Sequence, residues 1–196
     1  MADQRAHNGV DGQMLFARQF LRNPMQVASL VPSSRFLMRR IVTAAAVDRA
    51  ALVVELGPGT GGTTRAILEA LPPRGKLLAI EVNPDLHHAV STIPDDRLIA
   101  HQGDACDLPE ILSGYGLGNA DAVVSGIPFS TIGRAVGQRI AAAIADALAA
   151  DGRFVAYQAS GRVAELCRPH FGAPRVHTEL LNLPPMRVFR WARAGD

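Results

Sequence analysis

Of the 20 basic residues only Lys76 is a lysine, cysteine occurs twice, and no stretch provides the roughly 20 uninterrupted apolar residues of a bilayer-spanning helix. The best apolar run is broken at Asp48-Arg49. Acidic and polar residues stand near the N-terminus where a secretory signal has its apolar core, so a chain kept in the cytoplasm is expected. Cys106 and Cys167 make neither a disulfide framework nor a zinc pattern; both are read as packing residues and no metal site is expected. The formal net charge is only +2, well short of the basic face of a dedicated nucleic-acid binder. The near-absence of lysine is read as a bias of the genome, although arginine's planar fork does suit phosphate recognition better.

What is present is a chain of 196 residues, 48% hydrophobic and 19% charged, which fits one soluble domain with a substantial core. Its organising stretch is Leu52-Val-Val-Glu-Leu-Gly-Pro-Gly-Thr-Gly-Gly-Thr-Thr64. A short apolar strand ends near Glu55, a turn with glycines at 57, 59, 61 and 62 follows, and Arg65 to Ala70 opens a helix. Glycines in such a turn reach positive φ and carry no Cβ, so backbone N–H groups and a ligand can touch. Gly57-x-Gly59-x-x-Gly62 also satisfies the dinucleotide fingerprint. Glu55, two residues before the first glycine, weighs against a pyrophosphate there, because its carboxylate repels phosphate and attracts an ammonium group.

Along the rest of the chain strand and helix patterns alternate, as in a doubly wound α/β sheet. Strands are expected over 76–82, 97–102, 120–125 and 153–158, with an antiparallel closing pair over 174–182 and 186–193. Helices are expected from Asn83-Pro84, over 134–149, and over 162–167, where Pro169 ends the last. Glu81 closes the second strand about twenty residues after the glycines, where a carboxylate meets ribose hydroxyls in such sheets. His87 and His88 point about 100° apart on a helix and are no metal pair.

The first 50 residues carry seven arginines against three aspartates, a local excess of four positive charges. Residues 11–22 read as an amphipathic helix with Phe16 and Phe20 beside the apolar stripe and Arg18 and Arg22 opposite. Two arrangements fit that pattern: packing on its own domain, or lying in the interface of an anionic membrane. A second helix over about 34–47, capped by a serine of Pro32-Ser33-Ser34, buries Leu37, Ile41 and Ala45 and turns Arg39 and Arg40 outward.

Ser125-Gly-Ile-Pro-Phe129 stands at the carboxyl end of the fourth strand, where ligands bind in open parallel sheets. Strand-end carbonyls and a serine hydroxyl accept N–H bonds and aim an amine lone pair; proline stiffens the turn, and an aromatic ring suits a cation. Glu55-x-Gly57-x-Gly59-x-Gly61 resembles the first motif of the class I S-adenosylmethionine-dependent methyltransferases, and the serine-to-phenylalanine turn resembles the Asn-Leu-Pro-Tyr type of the ribosomal RNA adenine dimethyltransferases. With the Pro-Ser-Ser-Arg-Phe segment and Asn182 to Phe189, the chain is similar over residues 14–191 to the soluble bacterial phosphatidylethanolamine N-methyltransferases.

The resemblance implies a seven-stranded, mostly parallel methyltransferase sheet over 51–196, preceded by an N-terminal helical extension over 1–50. It implies S-adenosylmethionine held by Glu55, Gly57, Gly59, Thr60, Gly61, Glu81, Val82, Asp104, Ala105 and Ser125. Ser125, Gly126 and Phe129 place the amine, with Tyr157 as candidate proton acceptor or cation contact; Ser33, Arg35, Ile127, Pro128 and Arg187 meet the lipid. The implied activity is methylation of phosphatidylethanolamine and its mono- and dimethyl forms toward phosphatidylcholine, by a monomer peripheral to the inner face of the cell membrane. Three other readings stay open: an RNA adenine N6-methyltransferase, disfavoured by the low charge and the serine in place of asparagine; a non-catalytic S-adenosylmethionine-binding protein at the membrane surface; and a water-soluble small amine as the substrate. For Asp104 the alternative is a simple cap of the following turn.

Overall fold

A computed structural model describes residues 34–182 and 185–192. The chain divides into two units, 1–32 and 33–196, and the described residues belong to the second. The expected helix over 11–22 and the candidate Ser33 lie outside them.

Helix α1 (Arg35–Ala45) starts at Ser34, whose hydroxyl accepts the Leu37 N–H at 3.2 Å. Leu37, Ile41 and Ala45 recur at the spacing of one helical face and are buried in the core. Each of the two larger side chains contributes on the order of 2 kcal/mol by leaving water. The helix stops at Ala46, which takes a left-handed conformation, φ 51°, without being glycine. No breaker marks that end in the sequence, which is why the pattern alone runs the helix on to 47. Arg40 turns out to be paired as well as outward-facing: its Nε donates to Glu179 at 2.9 Å.

Seven strands follow: β1 (Leu52–Leu56), β2 (Lys76–Glu81), β3 (Leu98–Gln102), β4 (Ala120–Ser125), β5 (Leu148–Gln158), β6 (Arg175–Glu179) and β7 (Met186–Ala192). Between them lie α2 (Gly62–Ala70), α3 (Pro84–Ser91), α4 (Leu108–Gly114), α5 (Arg134–Ala147) and α6 (Arg162–Phe171). The sheet order is β3-β2-β1-β4-β5-β7-β6, parallel from β3 through β5, with β7 antiparallel to both its neighbours. β1 is buried along its whole length, as a central parallel strand covered on both faces must be. The Asp121 carboxylate accepts the Ala51 and Leu52 N–H groups at 2.7 and 3.0 Å and fixes where that strand begins.

Among the boundaries that differ from the sequence reading, two follow directly from packing and pairing. Pro169 lies inside α6 instead of ending it: it sits in the last turn, and Phe171 just beyond packs against Phe154, centroids 5.4 Å apart. α5 ends at Ala147, because buried Leu148 already pairs with Ala120 before an irregular stretch leads to the regular pairing from Arg153.

Candidate active site

β1 and β4 are neighbours whose ends stand level, Leu56 opposite Ser125. The chain departs from β1 toward β2 on one side and from β4 toward β5 on the other, so the loops diverge and leave a crevice at this switch point. Gly57, at φ +69°, adopts a conformation that a side chain disfavours. A Cβ there would lie 3.2 Å from Cγ1 of Ile127. Gly126 is held by its N–H to the Leu56 carbonyl, 2.9 Å, and a Cβ on it would meet the Tyr157 hydroxyl at 2.6 Å and the Gly57 carbonyl at 2.7 Å. The glycine turn, the Ser125–Phe129 turn and the end of β5 thus close on one another without room for a methyl group.

Two carboxyls sit beneath the glycine turn. Glu55 is fully buried; its Oε2 accepts from the Thr64 hydroxyl at 2.7 Å, and its Oε1 has no partner among the described residues. Burial pushes its carboxyl up to about 8, against the Thr64 bond that lowers it, with the Glu81 charge raising it further. Glu81 accepts the Asn83 N–H at 3.0 Å and the Gly59 N–H at 3.3 Å, which pins the glycine turn to the end of β2. Burial raises its pKa too, and these backbone donors pull it back. Asp104, beyond β3, caps the following turn by accepting the Cys106 N–H at 2.9 Å, while Ala105 is buried behind it. Val82 is half-buried and Thr60 exposed on the rim.

The Ser125–Phe129 turn differs in detail from the sequence expectation. Ser125 is fully buried, and its Oγ accepts the Ile127 N–H at 3.3 Å, so it braces the turn. Phe129 has no exposed surface, and its ring edge lies beside Gly137 of α5. The ring is core packing under the turn, because the chain folds back toward the helix layer after Pro128. Gly126, Ile127 and Pro128 are the half-buried residues of the motif. The Tyr157 hydroxyl is 2.9 Å from the Thr63 hydroxyl. Burial, then the charges of Glu55 and Glu81, hold its pKa far above the ordinary phenol value. A phenol so disposed keeps its proton and is a poor base, which leaves cation contact as its candidate role. Arg187 stands opposite Gln158 where β7 begins, at the same edge of the sheet. Arg35, in the first turn of α1, lies over the Phe36 ring at 5.0 Å.

No family model matches the chain. It is 32% identical over 142 residues to an ornithine lipid N-methyltransferase of Singulisphaera acidiphila, covering 71% of this chain and 74% of that one. This chain belongs to the class I S-adenosylmethionine-dependent methyltransferases. A ribosomal RNA small subunit methyltransferase A of Laribacter hongkongensis is 38% identical over 71 residues, which span 36% of this chain and 26% of that protein. The N-methyltransferase NodS of Bradyrhizobium japonicum, solved with S-adenosyl-L-homocysteine, shares the fold at a TM-score of 0.66 and 11% identity, over 90% of this chain and 91% of that one.

The methyltransferase's own residues fit its cofactor. An orphaned acidic oxygen on Glu55, a turn with glycines at 57, 59 and 61, and a second acid on Glu81 together suit a ligand bearing an ammonium group and hydroxyls and no phosphate. When bound, S-adenosylmethionine supplies an activated methyl group; Glu55, Gly57, Gly59 and Glu81 are the residues to hold it. Sequence reasoning left Thr63, Thr64 and Gln158 without a role. The threonines follow the glycines directly and orient Tyr157 and Glu55. Gln158 is buried at the end of β5 with neither amide atom paired among the described residues, two positions past Ala156, the register partner of Ser125. A polar residue closing an apolar strand was its one signal.

Proposed function

We propose that the methyltransferase acts on the primary amine of a membrane aminolipid, with phosphatidylethanolamine and its mono- and dimethyl derivatives as substrates on the way to phosphatidylcholine. The observation that carries this reading is the Ser125–Phe129 turn closed against Gly57 at the switch point, where an amine can be aimed at the cofactor's methyl group. Several features support it. The turn is stiff, braced by Ser125 and Pro128, so a nitrogen is oriented by structure already in place. The site is dry enough to raise two carboxyls, and the same dryness depresses the pKa of an entering ammonium group, releasing the lone pair. Tyr157, protonated and beside Thr63, has its hydroxyl oxygen next to Gly126, where a neutral oxygen can meet a substrate cation. Among the described residues no helix is long and apolar enough to cross a membrane, and in this reading the enzyme meets the lipid at an anionic surface from one side.

A second acceptor, ornithine lipid, is favoured by the name of the relative that matches over most of both chains. Both acceptors offer an amine; they differ in the anion beside it, phosphate in one and carboxylate in the other. Purified protein with methyl-labelled S-adenosylmethionine is to be offered detergent-dispersed phosphatidylethanolamine, ornithine lipid or total RNA in separate reactions. Label in phosphatidylethanolamine supports the first reading, label in ornithine lipid alone replaces it with the second, and label in RNA alone contradicts both.

A further inference from the structure

A groove of about 520 Å³ lies outside the crevice, between the outer side of α1 and strands β6 and β7. Arg39 and Arg40 line it from α1, Arg175 from β6 and Arg190 from β7. Among the described residues Glu179 is the acid in its lining, and it is engaged with Arg40 at 2.9 Å. The groove therefore keeps a surplus of positive charge. Nε of Arg190 is buried and has no hydrogen-bond partner among the described residues, a desolvated donor that an anion would satisfy. Beside the arginines stand apolar side chains that soluble surfaces usually cover: Phe36 is 42% exposed, Val176 52%, Leu181 65% and the adjacent Leu180 74%.

We infer that this groove docks the enzyme on an anionic bilayer, with arginines on lipid phosphates and Leu180, Leu181 and Val176 in the interfacial layer. The inference deepens the aminolipid reading and rests on it for the choice of a bilayer as partner. Charge complementarity and the mixed lining carry it. Arginine at a membrane surface gains from the negative potential of anionic lipids, and aliphatic side chains gain by leaving water for the acyl boundary. A single-stranded RNA fits less well: it wants several open aromatic faces, and of the two rings here Phe36 has the Arg35 guanidinium over it at 5.0 Å, which leaves the small imidazole of His177.

The test uses the full chain and vesicles of phosphatidylcholine with or without phosphatidylglycerol, read by cosedimentation without turnover. The double variant Arg39→Gln/Arg175→Gln should lose about 30-fold in affinity for the phosphatidylglycerol vesicles, since each arginine near such a surface is worth roughly a factor of five. The variant Leu180→Ser/Leu181→Ser should lose at least about tenfold, because apolar insertion is the other half of the contact. Melting temperature and S-adenosylmethionine affinity check that each variant is folded. Should the double variant misfold, Arg175→Gln alone, on the exposed edge strand, should still cost about fivefold. Vesicle affinity unchanged in folded variants overturns the inference, as does a loss confined to binding of an RNA oligonucleotide. Because docking is measured apart from methyl transfer to dispersed lipid, failure of the groove and failure of the aminolipid reading give different results.

Discussion

The Thr64 hydroxyl lies 2.7 Å from Oε2 of Glu55, while Oε1 of the same fully buried carboxyl has no partner among the described residues. One half of the acid is fixed by the first turn of α2 and the other half is left for a ligand. Replacing Glu55 with Gln keeps the shape and removes the charge. S-adenosylmethionine affinity should fall by roughly 10- to 100-fold, the range of a lost hydrogen bond to a charged group. Titration calorimetry of the wild type and Glu55→Gln checks this; equal affinities would contradict it.

The raised pKa of Glu55 also sets a pH dependence. Its folded value, about 8, exceeds its ordinary 4.5, so the folded chain holds a proton that the unfolded chain has lost between those values. The stabilisation is fully present below pH 4.5 and lost as pH rises through about 8. Ligand-free wild type should therefore weaken by a few kcal/mol from about pH 5 to 9 relative to Glu55→Gln. A bound cation favours the ionised carboxylate, so affinity for S-adenosylmethionine should climb over the same interval in the wild type and stay flatter in the variant. Chemical denaturation and calorimetry across this range measure both trends.

Tyr157→Phe tests the role of the phenol. The substitution removes the bond to Thr63 and should cost about 1 kcal/mol of stability and less than about tenfold in kcat. Because the phenol stays protonated well above neutrality, the rise of rate with pH on the acid side of the profile belongs to another group and should not move. Loss of that rise together with a thousandfold fall in kcat would restore Tyr157 as the base.

At Gly126 the obstacle is backbone as well as side chain. Gly126→Ala puts a methyl group within 2.7 Å of the Gly57 carbonyl and 2.6 Å of the Tyr157 hydroxyl. Relief requires the two turns to part, at about 1 to 3 kcal/mol. Both cofactor affinity and turnover should drop, and removing the tyrosine hydroxyl in the same chain should recover only a part, because the Gly57 carbonyl remains. Complete recovery in the double variant would show that the side chain alone set the limit.

Phe129 is packed in the core, and its substitutions should register as stability first. Phe129→Ala should cost about 3 to 5 kcal/mol by opening a cavity, whereas Phe129→Leu should cost far less and retain turnover. A thermal melt paired with KM for the amine decides: a leucine variant of normal stability with a greatly raised KM would put the ring back at the substrate.

How much of this was legible in the chain differs from element to element. Apolar runs ending in Glu55, Glu81 and Ser125 announced the parallel strands, because a strand covered on both faces has to be apolar throughout. The glycines at 57, 59 and 61 announced the turn, since positive φ excludes most other residues. Less visible was which way a motif's side chains point. Phe129 follows a turn whose direction is set by packing against α5, and no local pattern encodes that. Pro169 failed as a stop signal because tertiary packing of Phe171 holds the last turn of α6 together. The Glu179–Arg40 pair joins residues 139 positions apart, a distance over which a single sequence carries no signal.

The central claim is that the amine of a membrane aminolipid accepts the methyl group. Its most direct test is mass spectrometry of phosphatidylethanolamine after incubation with the full chain and S-adenosylmethionine. The account predicts headgroups heavier by whole methyl increments, absent with Glu55→Gln at limiting cofactor. An unchanged lipid, alongside methylated adenine in RNA treated in parallel, would contradict it.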